Sequence, residues 1–133
     1  MSNRFELIKI NPFEDKRGSL KKIAMKSRMD IDIEEIYLLY STHESVRGNH
    51  YHKETVEYFT VVSGTAKVAL KDLENDNLQE LNISSNDNFI LKVPANIAHA
   101  FKNESEETLV ILAVSSKEYN ASDTDTFIMK ILD

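Results

Sequence analysis

The chain predicts an all-β fold, an antiparallel sandwich or barrel formed as one domain over residues 1–133. Two observations carry that expectation. Short apolar or alternating runs, rich in β-branched and aromatic residues, recur along the whole sequence. Polar turns separate them at a rhythm that suits antiparallel strands better than an α/β fold. A length of 133 residues is enough for one hydrophobic core and short for two.

Taken in order, the expected strands are "FELIKI", "SLKKIA", "EEIYLLY", "VEYFTVV", "TAKVAL", "QELNI", "NFILKV", "HAFKN", "TLVILAV" and "TFIMKIL". The turns between them include "EDKRG", "STHESVRG", "DLENDN" and "SSND". In "VVSGTAKV" the pair Ser63-Gly64 predicts a tight hairpin, because glycine takes positive φ without steric cost. The only room for a helix is a short turn around Lys117 to Ala121. The sequence holds no internal repeat, low-complexity tract or flexible linker, and its two prolines, Pro12 and Pro94, stand far apart.

Composition narrows function by exclusion. Cysteine is absent, which removes disulfides and thiolate metal sites, so any metal must be held by imidazole and carboxylate. A cytoplasmic location suits that composition. The start "MSNRFELIKINPFEDK" is charged within a few residues, and no apolar stretch approaches the roughly 20 residues of a membrane span; neither signal peptide nor membrane segment is expected. The formal net charge of -6 repels polyphosphate backbones, which argues against a nucleic-acid partner. A small phosphorylated ligand stays open, since a few local arginines or lysines can hold a diphosphate.

The chemistry concentrates in "RGNHYHKETVEYFTVVSG", residues 47 to 64. On a strand, residues i and i+2 share a face, so His50 and His52 point into one space. Glu57 follows across a bend, and His99, in "VPANIAHAFKN", joins them if its strand comes alongside. Together they make three nitrogens and one carboxylate oxygen, a set that suits Zn, Fe, Mn, Ni or Cu with positions left open. The same histidines can instead act as bases, or be polar decoration on a strand. Tyr37 and Tyr40 fall on opposite faces of "EEIYLLY", so at most one points inward. Phe59 and Phe101 read as pocket wall or core, core before wall, and His43 as a solvated loop residue.

His50, His52, Glu57 and Gly64, followed by Pro94, His99 and Asn103, resemble the two spaced motifs of the cupin superfamily. Asn88 and Asn96 stand where the second motif has glycines, and asparagine tolerates the positive φ such turns need. The resemblance implies a single-domain jelly roll with His50, His52, Glu57 and His99 as metal ligands and Asn103 as a turn or edge residue. "EDKRGSL", "RGNHYHK" and "SSKEYNASDTD" are similar to the nucleotide-sugar branch of that superfamily. Its members include 3,4-ketoisomerases, dTDP-4-dehydrorhamnose 3,5-epimerases and the C-terminal cupin of bifunctional capsular-polysaccharide reductases.

What this branch implies is a sugar-nucleotide isomerase or epimerase acting on a dTDP- or UDP-linked 4-keto-6-deoxyhexose in polysaccharide or lipopolysaccharide biosynthesis. Its central step moves a proton on the carbon next to a ketone, which needs a base of near-neutral pKa and a stabiliser for the enolate oxygen. The resemblance assigns His50, His52 and Tyr37 to catalysis, and Arg47, Arg17 and Tyr51 to substrate binding. It implies one divalent metal, zinc above the others, and a homodimer in which "FELIKI" extends a partner's sheet. A metal-bound histidine has no lone pair left, so His50 cannot be ligand and free base at once. The alternatives are a non-catalytic metal- or sugar-binding cupin, or a metal-dependent cupin of other chemistry, such as an oxygenase or phosphosugar isomerase.

Overall fold

The computed structural model describes residues 3–133. Its strands are β1 (Glu6–Lys9), β2 (Phe13–Asp15), β3 (Gly18–Leu20), β4 (Glu35–Ser41), β5 (Val46–Tyr51), β6 (Glu57–Ser63), β7 (Thr65–Asp72), β8 (Asn77–Ser84), β9 (Phe89–Val93), β10 (Ile97–Asn103), β11 (Leu109–Ser115) and β12 (Phe127–Ile128). They form two five-stranded antiparallel sheets, β1-β9-β6-β11-β4 and β12-β5-β10-β7-β8, with β2-β3 as a separate ribbon. The chain crosses repeatedly between the sheets, and the strand order is that of a jelly roll. The all-β expectation holds.

Alternation along the strands builds the core. Phe59 and Val61 of β6, Val68 and Leu70 of β7, and Ile111 and Ala113 of β11 face inward and pack between the sheets. Each fully buried side chain of this size contributes about 1.5–3 kcal/mol. The first sheet is covered on its outer face as well. Ile10, Met29, Tyr58, Ile90 and Val114 form a second cluster there, joined by Ile23 and Ile31 of the β3–β4 connection. Buried on both sides, β6 therefore shows a continuous buried run, Glu57 to Val61, in place of alternation.

Several expectations need correction. "VVSGTAKV" is no hairpin: β6 already has β9 and β11 at its two edges, so β7 passes to the other sheet. Gly64 is the corner, with φ 87 and the backbone of Leu109 only 3.3 Å from where a Cβ would lie. Lys117 to Ala121 forms no helix. Side chains take the backbone groups a helix would need, as Ser115 Oγ donates to Lys117 O and Asn120 Oδ1 accepts from Ser122 N. "SLKKIA" is strand only to Leu20, and "TFIMKIL" only over Phe127–Ile128. "EDKRG" does turn, at Lys16 and Arg17 between β2 and β3, whereas "STHESVRG" runs into β5. "FELIKI" closes an edge of the chain's own sheet through β1 and β9.

The N-terminal segment is tied down by charge. Arg4 donates from Nε and Nη2 to the two carboxylate oxygens of buried Asp72, at 2.8 and 2.7 Å. The Arg4 hydrogen bonds are the largest influence on Asp72 and hold its pKa below the usual carboxylate range. A depressed folded pKa contributes stability above the unfolded value and loses it as pH falls through the folded one. Asp72→Asn is therefore expected to lower stability by about 2 kcal/mol at pH 7, with the gap to wild type closing below about pH 4. Urea unfolding at pH 7 and pH 3 checks this.

Candidate functional site

The second sheet supplies the histidines. His50 on β5 lies directly across from His99 on β10, while the next pairs are Gly48 with Ala100 and Arg47 with Phe101. Asn49 is thus an extra residue, a bulge, and it takes φ 57 beside Gly48 at φ 93. A Cβ on Gly48 would sit 2.7 Å from the carbonyl oxygen of His99, so only glycine lets the strands approach this closely. The bulge turns the His50 ring toward His99, with ring centroids 4.8 Å apart. His52 follows at 5.1 Å from His50 and 5.5 Å from His99. One nitrogen from each of the three rings lies within 4.8 Å of the others. His99 also packs on Phe59, whose ring sits against Phe101, the aromatic floor expected as core.

The first sheet faces them with acid and phenol. The β11 pairings align Glu57 with Ser115 and Glu35, and Phe59 with Ala113 and Tyr37. Glu57 Oε1 is 2.8 Å from His52 Nε2 and 3.8 Å from His99 Nε2. Tyr37 donates to Glu57 Oε2 at 2.5 Å. Tyr40 points the other way and is exposed, as strand parity requires.

The rings differ in what holds their second nitrogen. His52 Nδ1 donates to the carbonyl of Asp125 at 2.6 Å, and His99 Nδ1 to that of Ile97 at 3.3 Å. A carbonyl only accepts, so both rings turn Nε2 toward Glu57. Among the described residues no group hydrogen-bonds the His50 ring, which faces a cavity of about 340 Å³ at this end of the sandwich.

Charge follows from these contacts. Burial lowers the His50 pKa, and the neighbouring His52 lowers it further, leaving a neutral base at pH 7. His99, wholly buried, is pushed down to about 4 by desolvation. Burial opposes charge on His52, but the Glu57 carboxylate outweighs it and the pKa is raised. Burial likewise opposes ionisation of Glu57, yet His52, His99 and Tyr37 together hold its pKa below the ordinary value. Burial and the Glu57 charge push the Tyr37 hydroxyl far up, so it remains a donor and cannot act as a base near neutral pH.

His50, His52, Glu57, His99 and Tyr37 are thus brought together. Arg47, Arg17 and Tyr51 are not. Arg47 reaches out to the carbonyl of Tyr40 at the exposed end of β4. Arg17 pairs with Asp15 on the exposed ribbon, at 2.6 Å. Tyr51 lies on the opposite face of β5 from His50 and stacks on Phe127, centroids 5.4 Å apart. Missed by residue reasoning were Asp125, Glu35, Lys117 and Tyr119, which line the cavity. They come from sequence-distant segments and carry no spacing signal, although Lys117, Tyr119 and Asp125 all lie within "SSKEYNASDTD". Asn103 is the buried organiser of its turn, donating to the carbonyls of Ser41 and Glu107. His43 is solvent-facing as expected, with Nδ1 on Ser105 O.

A jelly roll with three histidines and a carboxylate between its sheets at one end defines a cupin-like domain. Residues 13–127 match the family model of the polysaccharide biosynthesis C-terminal domain, and the chain belongs to that family. Among solved structures it is similar to a double mutant of the 3,4-ketoisomerase QdtA from Thermoanaerobacterium thermosaccharolyticum in complex with TDP. That similarity has 25% identity and TM-score 0.82, covering 96% of this chain and 88% of that one. The dTDP-4-dehydrorhamnose 3,5-epimerase from Bacillus anthracis, with TDP and PPi bound, shares the fold at 19% identity and TM-score 0.81, over 92% of this chain and 77% of that one. The capsular polysaccharide assembling protein CapF from Staphylococcus aureus shares it at 20% and 0.71, over 92% and 33%. No curated protein sequence matches the chain.

The bulge makes a clear prediction. Gly48→Ala is expected to cost about 1–3 kcal/mol, because the new methyl group meets the His99 backbone and the residue is held at positive φ. Chemical denaturation checks the loss. The same variant should broaden or shift the His50 ring resonances more than those of His43.

Proposed function

We propose that this protein is a sugar-nucleotide isomerase or epimerase that moves a proton on the carbon next to the ketone of a dTDP- or UDP-linked 4-keto-6-deoxyhexose. The observation that carries the reading is His50: half-buried, neutral, and facing the cavity with no hydrogen bond to its ring among the described residues. Such a ring is suited to take a proton from carbon near pH 7. Family membership and the ketoisomerase and epimerase folds support the substrate class.

The neighbouring side chains suit the rest of the task. Removing a proton beside a ketone puts negative charge on the carbonyl oxygen, which needs a fixed donor. Tyr37 keeps its proton near neutral pH and can supply that donor. For isomerisation the C3 proton held on His50 is delivered to C4 while the proton of the C3 hydroxyl passes to the former ketone oxygen, so the ketone moves to C3; for epimerisation the same carbon is reprotonated from the opposite side by a second donor, and the proton on His50 leaves to solvent.

The donor set also fits a divalent cation, zinc most readily. His52 and His99 have Nδ1 fixed on backbone carbonyls and Nε2 turned toward Glu57, the outer hydrogen-bond pattern typical of metal-ligating histidines. We therefore assign His52, His99 and Glu57 as its holders and leave His50 for proton transfer. When bound there, the ion would polarise the ketone oxygen and stabilise its developing charge.

A homodimer and a cytoplasmic location complete the proposal. Ile36, Leu38 and Tyr40 lie exposed along the outer face of the edge strand β4, an apolar stripe that a second copy can cover. The lack of cysteine suits the cytoplasm.

Incubation with a 4-keto-6-deoxy sugar nucleotide in deuterated water is expected to place deuterium at C3 or C5 of the sugar, and no incorporation with any sugar tried would sink the enzyme reading. His50→Asn should cut that exchange by about 10²–10⁴ while metal content stays near one equivalent per chain. Glu57→Gln should lower metal content along with activity. Elemental analysis and mass spectrometry read both outcomes. Parallel loss of metal in His50→Asn would make His50 a ligand, and an active, metal-free Glu57→Gln protein would remove the metal from the mechanism.

A further inference from the structure

Asp125 makes an unusual set of contacts for one residue. Its Oδ1 accepts from Lys53 N at 2.9 Å, and its Oδ2 from Glu54 N and Thr55 N at 2.8 Å and from Thr55 Oγ1 at 2.9 Å. Its own carbonyl accepts from His52 Nδ1 at 2.6 Å. The side chain thus grips the whole connection from β5 to β6, while the main chain of the same residue grips the ring that starts that connection. Two functions that could be spread along a loop are joined in one residue.

The segment that follows straps β5 from outside. Phe127 pairs with Tyr51 and Ile128 with His50 in the β12–β5 ladder. Met129 N donates to Asn49 O at 2.8 Å, and Asn49 Oδ1 accepts from Ile131 N and Leu132 N at 2.9 and 3.0 Å. The residues before Asp125, among them Lys117, Tyr119 and Asp123, wall the cavity. Asp125 stands at the junction of cavity wall and strap.

We infer that Asp125 is the positioning residue of His52, its carboxylate clamping the 53–55 backbone so that its carbonyl holds His52 Nδ1–H and turns Nε2 to Glu57. The inference rests on the reading of His52 as a site residue. The physical case is a competition at His52. Glu57 Oε1 at 2.8 Å from Nε2 pulls a proton to that nitrogen, and only a fixed acceptor at Nδ1 keeps the ring in its present orientation. A carbonyl on a free loop would swing away; one anchored by four hydrogen bonds onto its carboxylate does not. The clamp costs the carboxylate little. Although burial alone would raise it, the three backbone N–H groups and the Thr55 hydroxyl lower the Asp125 pKa to about 2, so the clamp stays ionised at neutral pH.

Nitrogen-correlated NMR of the metal-free protein, with no substrate, tests this apart from the proposed reaction. Wild type is expected to show a His52 Nδ1-bound proton protected from solvent exchange, and likewise one on His99. Asp125→Ala should lose the His52 signal while keeping that of His99, a selectivity that general loosening of the fold would not produce. Thr55→Val, which removes one of the four grips, should speed exchange of the His52 proton about fivefold and keeps the test decisive if Asp125→Ala does not fold. A protected His52 proton that persists in Asp125→Ala, unchanged exchange in Thr55→Val, or no protected proton in wild type overturns the inference. Absence of isomerase activity, by contrast, would leave these signals untouched.

Discussion

A carboxylate held between two sheets is the constraint on which this site depends. Glu57 is 4% exposed, and an isolated charge at such a depth would be neutralised or expelled. Its ionisation is sustained by His52 and His99 from the facing sheet and by Tyr37 from its own. Each partner enters by a different segment, so the charge can be held at this depth only once the sandwich has closed. The interaction is thereby a product of the fold, and removing any one partner leaves the others with an uncompensated buried group.

The backbone devices around it serve the same end. The Gly48–Asn49 bulge brings β5 against β10 and sets His50 beside His99. The connection leaving His52 is clamped by Asp125, and the far edge of β5 is closed by β12. What remains unconstrained is His50, the one ring of the three with no hydrogen-bond partner among the described residues and with access to the cavity. Freedom at one histidine and fixation at the other two is the division of labour proposed here: the fixed pair for holding charge, the free ring for moving a proton.

Much of this was legible before the fold. Strand parity put Tyr37 and Tyr40 on opposite faces and the family resemblance pointed to Tyr37, the His-x-His spacing put two rings on one face, and Asn88 and Asn96 do take positive φ, at 56 and 65. Other features were hidden for physical reasons. The Ser63-Gly64 corner looks locally like a hairpin, and only the occupied edges of β6 exclude one. Arg17, Arg47 and Tyr51 were assigned by motif, but motifs carry no information about which way a bulged strand or an exposed ribbon turns its side chains. Asp125 acts through backbone groups far off in sequence, a role that leaves no periodic signal.

The central claim is that His52, His99 and Glu57 hold the proposed cation while His50, with a nitrogen within 4.8 Å of those of the other two rings, is kept for proton transfer. Zinc-edge X-ray absorption on the zinc-loaded protein counts the imidazoles around the ion directly. Two imidazole nitrogens with oxygen completing the shell are expected, unchanged in His50→Asn. Three imidazoles in wild type, falling to two in His50→Asn, would make His50 a ligand and contradict its role as the free base.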